Sequence, residues 1–318
     1  MRFVNKKRVI LCGVTVVVVI VLLHPNLNGH SSYEYIAKEN ILSSLHEETA
    51  ENFSSSAVVD CDYKDIVYGE ISFSISLVDG DLMEGHRIRD GGEYAPQDCR
   101  PKFSAAIIVP YRDRPEQLRG FLVYMHTFFR RQKLHYRIFI VEQVDSRPFN
   151  RAKLMNIGAV NAIKMGFPCL IFHDLDLLPL KLANLYACTN LPRHMSSSIN
   201  KFRFVLPYLN LFGGAVAITS RDYRMINGMS NEFFGWRGDD DDFYSRLQAL
   251  DIKVCRFSPE TSQYHKIKHN VQVRCWHNGH HKHGNSKSKI SSDGLTSLKY
   301  IEVATVLHPL FTHIMVDL

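Results

Sequence analysis

The sequence predicts an α/β fold, a mostly parallel sheet with helices on both of its faces. Three observations carry that prediction. Short apolar runs rich in β-branched residues recur at 105–110, 136–141 and 169–172. Apolar residues at helical spacing fill the segments between them, at 115–131 and 153–165. Strand and helix in alternation give parallel pairs joined by crossovers, which cover both sides of a sheet. The third run closes in His173-Asp174-Leu175-Asp176, so two carboxylates leave the carboxyl end of a strand, where such sheets place their ligands.

From the N-terminus, Arg2, Lys6, Lys7 and Arg8 precede an almost wholly apolar run at 9–23. A typical span needs ~20 residues, so a secretory signal core rivals a membrane anchor here. No small-residue cleavage site follows, and thin early secretory membranes accept short spans. The basic flank stays cytosolic. The expected order is a cytosolic tail at 1–8, an anchor at 9–23, a stem at 24–58 and a lumenal domain at 59–318. Residues 25–58 are polar, rich in Ser, Asn and Glu and without sustained period, as a spacer would be. Asn52-Phe53-Ser54 is a glycosylation acceptor if this part is lumenal.

Seven cysteines suit an oxidising compartment. Cys12 lies in the apolar run, and Cys61, Cys99, Cys169, Cys188, Cys255 and Cys275 leave fifteen pairings open. A net charge of +6 is mild and forms no basic stripe, so nucleic acid is not an expected partner.

The first strand runs into Arg112 and Arg114, which are either solvated or grip phosphate through forked hydrogen bonds. Leu118, Phe121, Leu122, Met125 and Phe129 make the face of the helix that follows. Phe149-Asn150-Arg151-Ala152-Lys153 opens the next helix with Asn150 as cap, or offers an aromatic and a guanidinium to a ligand. Asp174 and Asp176 suit a divalent cation held against a diphosphate, since hard cations take carboxylate and phosphate oxygens together. Gly235-Trp236-Arg237-Gly238 then leads into Asp239, Asp240, Asp241 and Asp242. Phe243, Leu247 and Leu250 at helical spacing explain part of that acidic run, because carboxylates are favoured in a first helical turn. They leave the aromatic and glycine-rich turn before it unexplained. Together the two acidic stretches suggest metal-assisted transfer from a nucleotide donor, with a further carboxylate as base.

In this order, Val109-Pro110-Tyr111-Arg112-Asp113-Arg114, Phe149-Asn150-Arg151-Ala152-Lys153-Leu154, Asp174-Leu175-Asp176, Phe212-Gly213-Gly214 and Gly235-Trp236-Arg237-Gly238-Asp239-Asp240-Asp241-Asp242 resemble the β-1,4-galactosyltransferase family. Pro192-Arg193-His194, Leu206-Pro207-Tyr208 and Asp293-Gly294-Leu295 are similar to it as well. The resemblance covers about 61–318. It implies the nucleotide-sugar transferase fold called GT-A, manganese-dependent inverting transfer and a Golgi membrane location of single-pass topology. Carried over, Asp176 and His269 would ligate Mn²⁺. Pro110, Arg112, Arg114, Phe149, Arg151, Asp174, Leu175, Leu211 and Trp236 would surround the UDP-sugar. Asp240 would be the catalytic base, with Gly238, Asp239 and Asp241 at the acceptor. Disulfides would join Cys61 to Cys99 and Cys169 to Cys188.

Leu211 stands where the galactose-transferring vertebrate branch of the family has Tyr, beside C2 of the donor sugar. An aliphatic residue leaves room for an N-acetyl group. The resemblance therefore implies transfer of GalNAc from UDP-GalNAc to a terminal GlcNAc, with UDP-galactose and a GlcNAc or xylose acceptor as the alternative. Three departures stand against a simple carry-over. Arg237 replaces a glycine, and Lys266 stands where the family has a third metal ligand. Residues 270–292, a lid in the family, here carry Cys275, His277, His280, His281 and His283, either a solvated loop or a zinc or nickel site. A non-catalytic sugar-binding membrane protein on the same scaffold is the reading from a different class.

Overall fold

A computed structural model describes residues 6–23, 32–57, 59–69, 88–235, 238–267 and 290–318. Its centre is laid down by β2 (Ser104–Tyr111), β3 (His135–Gln143) and β4 (Cys169–His173), joined by α4 (Pro115–Arg131) and α5 (Arg151–Lys164). Helix α1 (Lys6–Leu22), the short helices α2 (Ile41–Ser44) and α3 (Lys64–Tyr68) and strand β1 (Glu93–Tyr94) come before this core. After it come β5 (Leu177–Pro179), β6 (Arg193–His194), β7 (Ser198–Ile199), β8 (Ala215–Thr219), α6 (Ser220–Met225), α7 (Asp239–Ala249), β9 (Gln263–Lys266), β10 (Ile301–Leu307) and β11 (Thr312–Asp317).

The expected mostly parallel sheet is a mixed one, in the order β10-β11-β3-β2-β4-β8-β6 with β1 beside β3. β2 lies parallel between β3 and β4, and β11 is parallel to β3. β8 returns antiparallel on β4, β6 antiparallel on β8, and β10 antiparallel on β11. The parallel pairs of β2 with β3 and β4 are the ones built by helical crossovers, through α4 and α5. β10 and β11 form a hairpin, which pairs antiparallel without one.

Every residue of β2 is buried, because the sheet is covered on both faces, and such strands read as unbroken apolar runs. Ile107, Ile138 and Ile171 point to one side and meet Phe121, Met125, Phe128 and Phe129 of α4. Ile108, Phe139 and Leu170 point to the other and meet Leu154, Met155 and Ile157 of α5, with Phe243 and Leu247 of α7. Each such side chain contributes ~1.5–3 kcal/mol by leaving water. Helix α5 lies so close that a methyl group at Gly158 would run into Ile108. The predicted elements at 115–131, 136–141, 153–165 and 169–172 correspond to α4, β3, α5 and β4 within two residues.

The expected stem does not behave as a spacer where it is described. Ile41 and Leu45 are buried in the core with Cys61 and Tyr63. Ile36 bridges to Phe257, Leu45 to Thr189 and Glu48 to Phe103, and the Phe53 ring stacks 4.1 Å from His135. A few apolar residues in a polar background suffice to lay the segment onto the domain. Asn52 is exposed in a turn. Cys61 is bonded to Cys99 and Cys169 to Cys188, the pairing implied by the resemblance. The apolar run at 9–23 falls on α1 and the residue after it, and the side chains from 12 to 23 are exposed. Among the described residues, no helix is long and apolar enough to cross a membrane.

Candidate active site at the carboxyl end of the sheet

The turn after β4 is pinned on both sides. Asp174 N–H donates to the Gly214 carbonyl (2.8 Å), and Ile267 N–H donates to the Asp176 carbonyl (2.8 Å). His173 beneath it is fully buried. Its Nδ1–H donates to the Asp174 carbonyl (2.9 Å), so Nε2 accepts from the Tyr186 hydroxyl (2.8 Å). Burial pushes the imidazole down to about 4, which keeps it neutral and fixes that tautomer. Leu175 is packed in the core, and Pro110 is buried in β2.

Arg151 is the hub. It enters at the start of α5, whose cap is Asn150, the side chain accepting from Lys153 N–H (2.9 Å). Its Nε–H donates to Asp174 (2.8 Å) and its Nη1–H to Asp239 (2.8 Å) and Asp240 (2.9 Å). One guanidinium thus draws the Asp-x-Asp turn and the first turn of α7 together. Gly238 makes the entry to that helix at φ +94°, a region in which glycine escapes the Cβ penalty. Gly213 closes the other side, since a methyl group there would run into the Asp240 carboxyl.

The charge balance sets the protonation. Burial raises Asp240, and the Asp239 and Asp174 carboxylates raise it further against Arg151, to about 7. Its side chain is still 32% exposed, so a substrate hydroxyl has a path to it. Burial also raises Asp174, but Arg151 and Lys266 outweigh it and hold that carboxyl below its ordinary range. Asp241 accepts from the Tyr208 hydroxyl (3.0 Å); partial burial and this carboxylate push the phenol up to about 12. Asp242 faces inward to Arg246 (2.7 Å).

Of the expected donor residues, the Arg112 guanidinium is otherwise engaged. Arg112 donates to the carbonyls of Gln143 (3.4 Å), Asp145 (3.2 Å) and Arg147 (2.8 Å), and lies 5.5 Å from the Phe149 ring. In this arrangement it holds the loop that carries Phe149. Arg114 precedes α4 with its N–H on the Tyr111 hydroxyl (2.9 Å). Leu211 is half-buried, and its carbonyl accepts from Arg256 (3.1 Å).

Of the two expected metal ligands, Asp176 is among the described residues and is already paired. Lys266 Nζ donates to Asp176 Oδ1 (2.7 Å), and Asp176 is 3% exposed. His265, next along β9, turns instead to Asn200 (2.9 Å). Trp236, Arg237, His269 and the histidines at 277–283 lie outside the described residues. Among the described residues no three His, Cys, Asp or Glu side chains converge to hold a metal ion. As arranged, with Asp174 on Arg151 and Asp176 on Lys266, they do not fit one. The sequence singled out Arg151 and Asp240, which the structure brings together, but not Tyr208 as a partner of Asp241 or Lys266 as a partner of Asp176.

Comparison with known proteins places these features in context. Residues 67–189 match the family described as the N-terminal region of glycosyl transferase group 7. Residues 193–270 match the N-terminal domain of galactosyltransferase. Beta-1,4-galactosyltransferase 2 of Mus musculus is 39% identical over 232 residues, 72% of this chain and 63% of that protein. Beta-1,4-galactosyltransferase 1 of Bos taurus is 38% identical over 253 residues, 78% of this chain and 63% of that one. The chain therefore spans less than two thirds of the length of these relatives. Among solved structures, the catalytic domain of Drosophila β1,4-galactosyltransferase 7 with xylobiose is 30% identical, with a TM-score of 0.55 over 68% of this chain and 93% of that one. A mutant of the same enzyme, in complex with manganese, UDP-Gal and xylobiose, matches at 29% identity with the same TM-score and coverage.

Proposed function

This chain belongs to the β-1,4-galactosyltransferase family, and we propose that it is an inverting transferase moving a hexose from a UDP-sugar to a glycan hydroxyl, with UDP-galactose as donor. The observation that carries the reading is Asp240, a partly exposed carboxyl raised to about 7 and tied through Arg151 to the Asp-x-Asp turn. A base is most effective when its pKa lies near the working pH. In the reaction, the acceptor O–H bond breaks and its proton goes to Asp240. The oxygen forms the new bond to the anomeric carbon, and the bond to UDP breaks with its electron pair on the diphosphate. Attack and departure lie on opposite faces of the carbon, so its configuration inverts, as with water in inverting glycoside hydrolysis. Arg151 holds Asp174 and Asp240 at one spacing, which orients the donor side and the base side together.

The relatives are named galactosyltransferases, and one neighbour was crystallised with UDP-Gal, which favours galactose over GalNAc as the transferred sugar. The GalNAc reading keeps one specific support, the aliphatic half-buried Leu211 two residues before Gly213. Acceptors to be compared are terminal GlcNAc, after the motifs Pro192-Arg193-His194 and Leu206-Pro207-Tyr208, and xylose, after the neighbour's xylobiose. Manganese enters the proposal through that same neighbour; no step above passes through it. The test is kcat/KM with UDP-galactose and UDP-GalNAc against each acceptor. Preference for UDP-galactose is expected. Preference for UDP-GalNAc would restore the Leu211 argument, and no transfer from either donor would leave the sugar-binding scaffold as the reading.

The proposal includes a Golgi membrane location with the catalytic domain lumenal. It is supported by the basic residues before the apolar run and by the exposed Asn52 sequon. A mobility shift on removal of N-glycans, lost in Asn52→Gln, tests it.

A further inference from the structure

Each carboxylate of the Asp-x-Asp turn already has a cation of the chain against it. Asp174 carries Arg151 and Asp176 carries Lys266, at 2.8 and 2.7 Å. Lys266 is not a swinging surface lysine. Its residue is paired with Leu177 in the β5–β9 ladder, its N–H donates to Asn200 Oδ1 (2.8 Å), and its side chain is 21% exposed. The next N–H along, that of Ile267, holds the Asp176 carbonyl (2.8 Å). Backbone and side chain of Asp176 are thus both gripped from one edge, and the ammonium stands where a cation would approach.

We propose that Lys266 is a built-in counter-cation of Asp176 that competes with a divalent metal, so that this protein binds Mn²⁺ weakly in the absence of donor. The functional meaning rests on the transferase reading above; the metal measurement does not. A divalent ion on Asp176 would have to displace the ammonium or sit beside it. Either course lowers its affinity, because like charges at contact distance repel most strongly where water is scarce. Metal occupancy then depends on further oxygens from elsewhere, those of a bound diphosphate being of the right hardness.

The experiment titrates Mn²⁺ into the full chain, purified in detergent and stripped with EDTA, and reads free Mn²⁺ by electron paramagnetic resonance. Lys266→Ala is expected to bind Mn²⁺ at least tenfold more tightly than the unaltered chain, and Lys266→Arg to remain as weak. Lys266→Leu serves as a longer neutral variant without a donor atom if the alanine chain does not fold. Damage to the site would weaken metal binding, so a gain is not a structural side effect. Equal affinity in the unaltered chain and the neutral variants would overturn the proposal, as would an arginine variant that binds as tightly as alanine. UDP binding at saturating Mn²⁺ reads the donor-site assignment separately; its absence would remove the transferase reading and leave the metal result standing.

Discussion

Arg151 and Arg246 each gather aspartates, two and one of them from the first turn of α7, and they do different things with them. Arg246 is 1% exposed, donates to Asp242 (2.7 Å) and Asp293 (3.1 Å), and also serves the carbonyls of Gly228 and Asp293. Its environment is closed and its hydrogen bonds are shared with backbone. Arg151 faces three carboxylates, Asp174, Asp239 and Asp240, and the last is 32% exposed. Burial raises Asp240 first, and one positive charge against three negative ones leaves a surplus that adds to it, so that the carboxyl holds its proton up to about 7. Residues of one type in one helical turn thus become framework or reagent according to how many carboxylates share a guanidinium and how open they lie. Two carboxylates on one buried guanidinium form framework; three on one, beside an opening, leave a group that can take a proton.

The sharpest way to break this contrast is to remove the carboxylates' roles one at a time. Asp240→Asn is expected to lower kcat by about 10²–10⁴, the range for loss of general-base assistance, with UDP affinity retained in calorimetry. Turnover within a few-fold of the parent would show that another group takes the proton. On the structural side, Arg246→Met leaves Asp242 and Asp293 without their shared cation. Breaking a buried ion pair from one side costs about 3–5 kcal/mol, which urea unfolding would read directly. An unchanged midpoint would mean that Arg246 is not the framework partner described here. Next in size is Gly213→Ala. A methyl group there collides with the Asp240 carboxyl, and a displacement near 1 Å at a reacting group can cost ~10² in rate. The expected signature is a fall in kcat with little loss of stability.

The legible parts of the molecule were those that bury both faces or close a local turn. β2, β3, β4, α4 and α5 declared themselves because continuous apolar runs and helical spacing follow from two-sided burial. β10 did not, since Ile301 and Val303 stay 67% and 56% exposed and leave no pattern of one covered face. The anchoring of 32–57 was hidden by its polar composition, with Ile41, Leu45 and Ala50 as the few buried apolar side chains in it. At the site, the acidic run at 239–242 was visible, but which carboxylate faces Arg151 depends on the rotation of α7 about its axis. The Lys266–Asp176 pair spans 90 positions and needed the β5–β9 register to appear. The disulfides followed from resemblance, because spacing alone left fifteen pairings.

The smallest effect is also the most specific to the surplus of charge. With Asp240 at about 7, kcat/KM should fall tenfold per unit as pH drops below about 7, because only the ionised carboxylate accepts the acceptor's proton. Stability should move the other way. An unfolded aspartate titrates near ~3.9, so the raised folded value favours the folded state fully below about pH 4. That contribution is lost as pH rises through about 7. In Asp240→Asn there is nothing to titrate, so the stability of the parent relative to this variant should decline between about pH 4 and 7 and then level off. Arg151 lowers Asp240, so Arg151→Met should shift the rate limb above pH 7 while reducing the rate. Removing Arg246, whose guanidinium does not touch Asp240, should leave the limb in place in whatever fraction folds. If Arg151→Met left the limb near 7, the unequal charge balance around the two arginines would not be what tunes the base.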